Sequence, residues 1–334
     1  MIKHAQSGTV LVTGGTGLVG SHLVERLLRN DYSVTCLVRD PNRLRWLSGL
    51  KVRLVKGDCS EPSTLRDAVR GVSAVYHVAG LTKAKRARDY FEVNHIGTRN
   101  ILEACARHNP GLGKFILVSS LAAAGPSPDG SPLKDIDPPR PVSDYGRSKL
   151  LAEQETLRYR DRFRVVILRP SAVYGPRDTD VYELFRWASR GLVLEIGGSG
   201  RFINPCYVED LAEALLLAMK KDVPSGSVYF VAEDRAYSLS AFMDLLLASG
   251  EVRARRIRVP YGIAYLVGLA SEAAGFFQGK AALTNRQKIR EAAQKYWLCD
   301  VSKIRRDFGF TAHYPLKQGL EVTWKWYREN RWLS

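Results

Sequence analysis

Val10-Leu11-Val12-Thr13-Gly14-Gly15-Thr16-Gly17-Leu18-Val19-Gly20 decides the fold of this chain. Val10, Leu11 and Val12 read as a short buried strand. Leu23, Val24, Leu27 and Leu28, within Ser21 to Asn30, form a helical apolar face. Gly14, Gly17 and Gly20 therefore occupy a strand-to-helix turn. Such a turn needs backbone angles that side chains resist, and a pyrophosphate approaches closely only where no Cβ intervenes. The helix N-terminus behind it offers free N–H groups and the positive end of a dipole. Alone, a glycine triplet is a weak signal that also fits an ordinary Gly-rich turn. Between a strand and a helix it predicts a dinucleotide site.

The chain has 334 residues, enough for more than one domain and a large core. At 45% hydrophobic and 25% charged residues it has the composition of a soluble globular protein. Fifty Lys and Arg against 34 Asp and Glu give a net charge of +16. Nucleic acid, an anionic membrane or acidic ligands would each suit that excess. No helix-turn-helix, zinc-finger or RNA-binding aromatic pattern supports nucleic acid, so most of the excess reads as solvated surface. Cys36, Cys59, Cys105, Cys206 and Cys299 are widely spaced without a C-x-x-C pair, so neither a metal site nor a disulfide framework is indicated. Met1 to Gly8 are polar, and no uncharged apolar run of 18 residues occurs. The expectation is a cytoplasmic protein.

Strands and helices then alternate. Ser33 to Val38 reads as a second strand ending at Arg39-Asp40-Pro41. An acidic residue at this strand end holds the adenosine ribose of NAD, but the position is close to Val38, and Arg39 follows. A guanidinium there favours a 2′-phosphate, so the reading prefers NADP over NAD, with Arg43 as a second contact. The alternative leaves Arg39 solvated and gives the ribose to Asp40. Val52 to Lys56 is a strand leading to Gly57-Asp58-Cys59, where a polar residue can meet the adenine edge. Ala74 to Val78 is the fourth strand, and small Ala79 and Gly80 at its end let a cofactor backbone pass. His77, inside that apolar strand, reads as structural. Lys83, Lys85, Arg86 and Arg88 form a basic loop, either solvated or flanking a cleft for an acidic substrate. A helix over Arg88 to Arg107 contains Asn94, and a strand over Lys114 to Val118 ends in Ser119-Ser120. After a Pro/Gly-rich loop, Tyr145 and Lys149 open a helix running through Leu157 and share one face. A tyrosine with an ordinary pKa of about 10 is a poor base at neutral pH, and a nearby ammonium lowers it.

These pieces, in this order, resemble the extended branch of the short-chain dehydrogenase/reductase superfamily. They are Gly14-x-x-Gly17-x-x-Gly20, Asp58, Val78-Ala79-Gly80, Asn94, Ser119-Ser120 and Tyr145-x-x-x-Lys149. Arg169 to Pro176, Tyr207 to Ala212 and the tail from Gly319-Leu320 to Trp326-Tyr327 also match. The resemblance implies an α/β fold: a doubly wound parallel Rossmann-type sheet with a smaller, interleaved C-terminal substrate domain. Residues 1–169, with 204–232 returning, would bind the dinucleotide; 170–203 and 233–334 would form the substrate domain. It makes Tyr145 the acid/base, Lys149 the modulator of its pKa and a ribose ligand, and Ser120 the group that polarises the substrate carbonyl. Asn94 would hold the helix geometry or a proton-relay water. Thr16, Leu18, Cys59, Ser119, Pro170 and Val173 join the glycines, Arg39, Asp58, Ala79 and Gly80 at the cofactor. A homodimer through the helices Arg88 to Arg107 and Tyr145 to Leu157 is implied as well.

Within that superfamily, Leu168-Arg169-Pro170 and Trp297 to Lys303 look like the 3β-hydroxysteroid dehydrogenase and dihydroflavonol reductase group. Nucleotide-sugar enzymes tend to carry Asn where this chain has Ala172, and Arg where it has Ile203. The expected reaction is oxidation of a secondary alcohol, or the reverse, on a small lipophilic substrate of sterol, steroid or flavonoid type. A nucleotide-sugar epimerase/dehydratase and a non-catalytic NADP-binding sensor are the alternatives. Tyr261 to Phe277 is apolar and follows Arg253, Arg255, Arg256 and Arg258. It reads as core helix of the substrate domain or as a peripheral contact with an anionic membrane.

Overall fold

The computed structural model describes residues 8–196, 200–277 and 286–333. Its centre is a seven-stranded, all-parallel sheet. The strands are β1 (Thr9–Thr13), β2 (Ser33–Val38), β3 (Arg53–Lys56), β4 (Ala74–His77), β5 (Lys114–Val118), β6 (Arg164–Pro170) and β7 (Ser227–Val231). They lie in the order β7-β6-β5-β4-β1-β2-β3. The direction of winding reverses between β1 and β4, which opens a crevice at the carboxyl ends of the strands.

Alternation along each strand sends side chains to opposite faces. Val10 and Val12 of β1 pack with Leu23 and Leu27 of the helix Leu18–Arg29 and with Leu211 and Leu215 of Val208–Lys220. Leu11 points the other way, into a core with Val75, Phe115, Ile101, Leu102 and Ala152. Both faces are thus covered, as a parallel sheet requires. Lys114 fastens one face: its buried ammonium donates to the carbonyls of Ala218, Met219 and Lys221 at 2.8–2.9 Å, closing the end of Val208–Lys220.

A third core joins Tyr174, Tyr207, Phe185 and Phe242 to Leu320, Trp324 and Tyr327 of the C-terminal helix Leu316–Glu329. This is the packing centre of the second half. Residues 299–310 do not share it. Val301, Ile304, Phe308 and Phe310 pack into the core of the sheet, where Phe308 meets Tyr229 of β7 at 4.5 Å between ring centroids. A boundary at 233 therefore does not follow the packing here, because the short helix Ser302–Phe308 turns its apolar side back onto the sheet.

The helix expected over Arg88 to Arg107 is broken into three. Ala87–Tyr90 is a single turn, Phe91–Ile96 is π-helical and Gly97–His108 is α-helical. The wide turn falls on Asn94, and such insertions recur where a functional side chain is displaced from regular helix spacing.

Candidate active site

The glycine turn has the geometry its spacing predicts. Gly14 has φ of +72°, and a Cβ there would lie 2.6 Å from the Ala79 nitrogen. A Cβ on Gly20 would lie 2.2 Å from the Gly14 carbonyl oxygen, so helix and strand meet backbone to backbone. Gly17 caps the helix Leu18–Arg29 with no side-chain hydrogen bond, leaving its first N–H groups open toward the crevice. Thr16 and Leu18 flank this cap, both partly exposed. At the end of β6, Pro170 is buried, and the hydroxyl of the next residue, Ser171, is buried without a partner. Val173 lies just beyond it, in the strand Ala172–Tyr174. A bare glycine cradle, an uncapped helix end and an orphaned hydroxyl fit a phosphate-bearing dinucleotide.

Arg39 and Asp40 are both exposed at the end of β2. Asp40 already has loop partners: it accepts from the Asn42 nitrogen at 2.9 Å and pairs with Arg43 at 3.4 Å. The Arg39 charge reaches the Asp58-Cys59 segment, where it opposes the effect of burial. Asp58 accepts from the Ser60 nitrogen at 2.8 Å, which shapes the turn. Burial pushes the Cys59 thiol up to about 12, so it serves as packing; the five cysteines are all free and buried.

Tyr145 and Lys149 stand on the helix Asp144–Leu157, whose N-cap Ser143 accepts from the Gly146 nitrogen at 3.0 Å. Burial pushes the Tyr145 phenol up, and the Ser120 hydroxyl facing it pulls the other way. Glu291, Tyr90 and Asp180 push it further up. Ser120 itself caps the short helix Leu121–Ala124. Lys149 donates to the Val118 carbonyl at 2.6 Å, and burial lowers it to about 8. Ser120 and Tyr145 are thus face to face. Lys149 is directed to the end of β5, where it meets the Val118 carbonyl. A Cβ on Gly80 would fall 3.1 Å from Asn94 Oδ1 and 3.5 Å from Lys149 Nζ, so glycine keeps this corner open.

Asn94 is buried and its amide is fully engaged. It accepts from the Leu81 nitrogen at 2.7 Å and donates to the Leu81 carbonyl at 3.1 Å and to Ser148 Oγ at 2.9 Å. It brackets the loop after β4 to the helix of Tyr145. His77 lies beneath. Thr98 gives its proton to the Asn94 carbonyl, so His77 Nε2 must donate to Thr98. His77 Nδ1 then accepts from Thr13, which in turn receives the Ala79 N–H. The histidine is a neutral strut between the glycine turn and Asn94.

Burial, with the Lys149 charge, lowers His77 to about 3. Its folded pKa is below the unfolded value near 6.5, so the unfolded chain takes up the proton first as pH falls. Stability is complete above about 6.5 and is lost toward about 3, at up to about 1.4 kcal/mol per pH unit. His77→Gln should remove that slope in urea titrations across this window. An unchanged slope would place the acid sensitivity elsewhere.

The sequence reading missed two groups. Glu153, on the face of Tyr145 and Lys149, is buried and accepts from Arg169 at 2.9 and 2.7 Å and from Ser119 Oγ at 2.5 Å. Ser119, expected at the cofactor, has its hydroxyl committed to this ion pair. The helix Arg286–Ala292 supplies the other group. Gln287 exchanges two hydrogen bonds of 2.6 Å with Asp144, and Glu291 accepts from Ser143. Lys288 and Lys83 both pair with Asp180, across the mouth of the site. The period of Tyr145, Lys149 and Glu153 was a usable signal for the first group; the second had none.

Comparisons with known proteins point to one family. The sequence pattern of the NAD dependent epimerase/dehydratase family matches residues 10–232. A protein of Caulobacter vibrioides named ceramide reductase is 31% identical over 328 residues, covering 98% of this chain and 96% of that one. Human sterol-4-alpha-carboxylate 3-dehydrogenase, decarboxylating, is 26% identical over 277 residues, covering 78% and 72%. The solved structure of MoeE5 in complex with UDP-glucuronic acid and NAD superposes with a TM-score of 0.78 at 26% identity, covering 97% and 100%. The chain belongs to the NAD dependent epimerase/dehydratase family and is an NAD(P)-dependent oxidoreductase of the extended short-chain type.

Proposed function

We propose that this enzyme uses NADP to interconvert a ketone and a secondary alcohol on a lipid-like substrate. The observation that carries the reaction is the Ser120–Tyr145 pair beside Lys149, at the strand ends next to the glycine turn. The bound nicotinamide supplies the hydride chemistry. The phenol, held protonated by burial, gives its proton to the substrate oxygen as charge develops there. The Ser120 hydroxyl donates to the same oxygen and then to the phenolate left behind. Lys149, Arg39, Asp58 and the glycine turn would hold the dinucleotide, with Ala79, Gly80, Pro170 and Val173 as walls. Asn94 fixes the helix against the loop after β4.

Three observations favour a lipophilic substrate. Two relatives are named for ceramide and sterol substrates. Ala172 has no polar group for a sugar diphosphate. Arg201, near the position where nucleotide-sugar enzymes carry arginine, donates to the Ala292 carbonyl at 2.6 Å and so helps hold the helix Arg286–Ala292. MoeE5, solved with a sugar nucleotide, keeps the epimerase reading as the second one.

The test is a fluorescence titration with NADPH and NADH, followed by sterol, sphingoid and flavonoid ketones added to the tighter complex. Tighter NADPH binding with ketone-dependent oxidation is expected. Arg39→Ala should weaken NADPH by about 10- to 100-fold and leave NADH unchanged, the worth of charge-assisted bonds to a phosphate. Preference for NADH without ketone turnover would move the ribose contact to Asp40 and restore the sugar-nucleotide reading.

A further inference from the structure

Over residues 261–269, whose side chains are described, the helix Tyr261–Phe277 is built inside out for a helix of a folded domain. The residues it turns inward are small: Ala264 and Gly268, one helical repeat apart, are buried. The residues it turns to solvent are large and apolar. Ile263 is 54% exposed, Leu266 64% and Val267 57%, and Tyr261 and Leu269 exceed 40%. No charged residue occurs from Val259 to Ser271. Exposed apolar surface of this kind marks a contact with something else. At 17 residues the helix is about 25 Å long, short of a bilayer core, and among the described residues no helix can cross a membrane.

The element that feeds it is cationic. In the strand Arg255–Val259, Arg255 and Arg258 are exposed, as is Arg253 just before it, and Ile257 stands among them 41% exposed. Arg256 is already engaged by Asp244 and Glu195, and Glu195 lies 3.9 Å from Arg258. Arginines bordering an apolar helix face match the two layers of an anionic membrane surface, phosphate headgroups above acyl chains. Tyr261, at the start of the helix, suits the boundary between them.

We propose that this face lies flat on an anionic lipid bilayer, with Ile263, Leu266 and Val267 among the acyl chains and Arg253, Arg255 and Arg258 at the headgroups. The idea rests on the lipid-substrate reading for its purpose. The same helix packs on Arg286–Ala292, whose Gln287 and Glu291 hold the start of the helix carrying Tyr145. A membrane-bound helix would thus border the mouth of the site and let a lipid carbonyl enter without crossing water.

The test is co-sedimentation of the full chain with phosphatidylcholine vesicles, with and without phosphatidylglycerol. Binding is expected only to the anionic vesicles, weakening about tenfold or more between low and high salt. Leu266→Asp/Val267→Asp and Arg255→Glu/Arg258→Glu, at exposed positions and checked by thermal melts, should each reduce it about tenfold or more. No binding to anionic vesicles, or binding unchanged in the Leu266→Asp/Val267→Asp protein, would overturn the proposal. So would self-association abolished by that variant in a protein that ignores vesicles, since the face would then belong to a second copy. Oxidation of NADPH by a short soluble ketone, measured alongside, reads the catalytic site alone. Turnover without sedimentation sinks the surface, and sedimentation without turnover sinks the catalytic assignment.

Discussion

Tyr145→Phe should lower kcat/KM for ketone reduction by about 10²- to 10⁴-fold, the range for losing a positioned proton donor. Cofactor affinity should stay within about twofold, because phenylalanine fills the same volume and no phosphate contact is involved. The ring also keeps its neighbour Tyr90, 6.0 Å away between centroids. Ser120→Ala removes a hydrogen bond that strengthens as the oxygen gains charge, so it should cost about 10²- to 10³-fold, mostly in kcat. The pH profile gives an independent reading. Lys149 is lowered to about 8 by burial, so it is cationic below that pH and loses its charge above it. Affinity for the anionic cofactor should therefore decline as pH rises through about 8, and Lys149→Met should abolish that decline. If Tyr145→Phe kept its turnover, the proton would come from another group and the Ser120–Tyr145 assignment would be wrong.

The parts of this site that the sequence reveals are those that depend on neighbours in the chain. Gly14 and Gly20 are legible because the turn leaves no room for a Cβ at either, and the turn lies between elements whose periods are plain. Tyr145 and Lys149 are legible because a helix places them one turn apart. The spacing does not tell where the ammonium points. Lys149 turns to the Val118 carbonyl, from a strand it meets only in the folded sheet. Ser120, assigned to the substrate, faces Tyr145, but the neighbouring Ser119, assigned to the cofactor, gives its hydroxyl to Glu153, a partner 34 residues away. Arg169, read as a marker of enzyme class, is a partner of Glu153. Gln287 and Glu291 lie more than 140 residues from Asp144 and Ser143, which they grip, and nothing in their own segment points to them. The π-helical turn at Asn94 is similarly hidden, since the groups that hold its amide, the Leu81 backbone and Ser148, lie 13 and 54 residues away.

Glu153→Gln should destabilise the protein by about 3–5 kcal/mol in urea unfolding without cofactor, because it leaves the Arg169 guanidinium buried without its counter-charge. Arg169→Met should cost a similar amount by stranding the carboxylate, with only Ser119 still donating to it. The two losses are not independent. Both side chains are almost fully buried, at 3% and 6% exposed, and their double replacement by Met removes both charges at once. That variant should recover most of the stability, as buried ion pairs often trade evenly against packed apolar groups, giving a coupling of about 3 kcal/mol or more. Were this all, the pair would be structural only. Glu153 also acts on Lys149, where its charge opposes the effect of burial and supports the ammonium. Arg169, which pairs with Glu153, also lies over Phe230, 5.5 Å from the ring centroid. The double Met variant should therefore be stable yet lose cofactor affinity at a lower pH than the wild type, because Lys149 would give up its proton sooner. A limb that stays near pH 8 in that variant would reduce Glu153 to a strut. A limb that moves down while stability is restored would make it a positioning residue for Lys149, separable from its part in the fold.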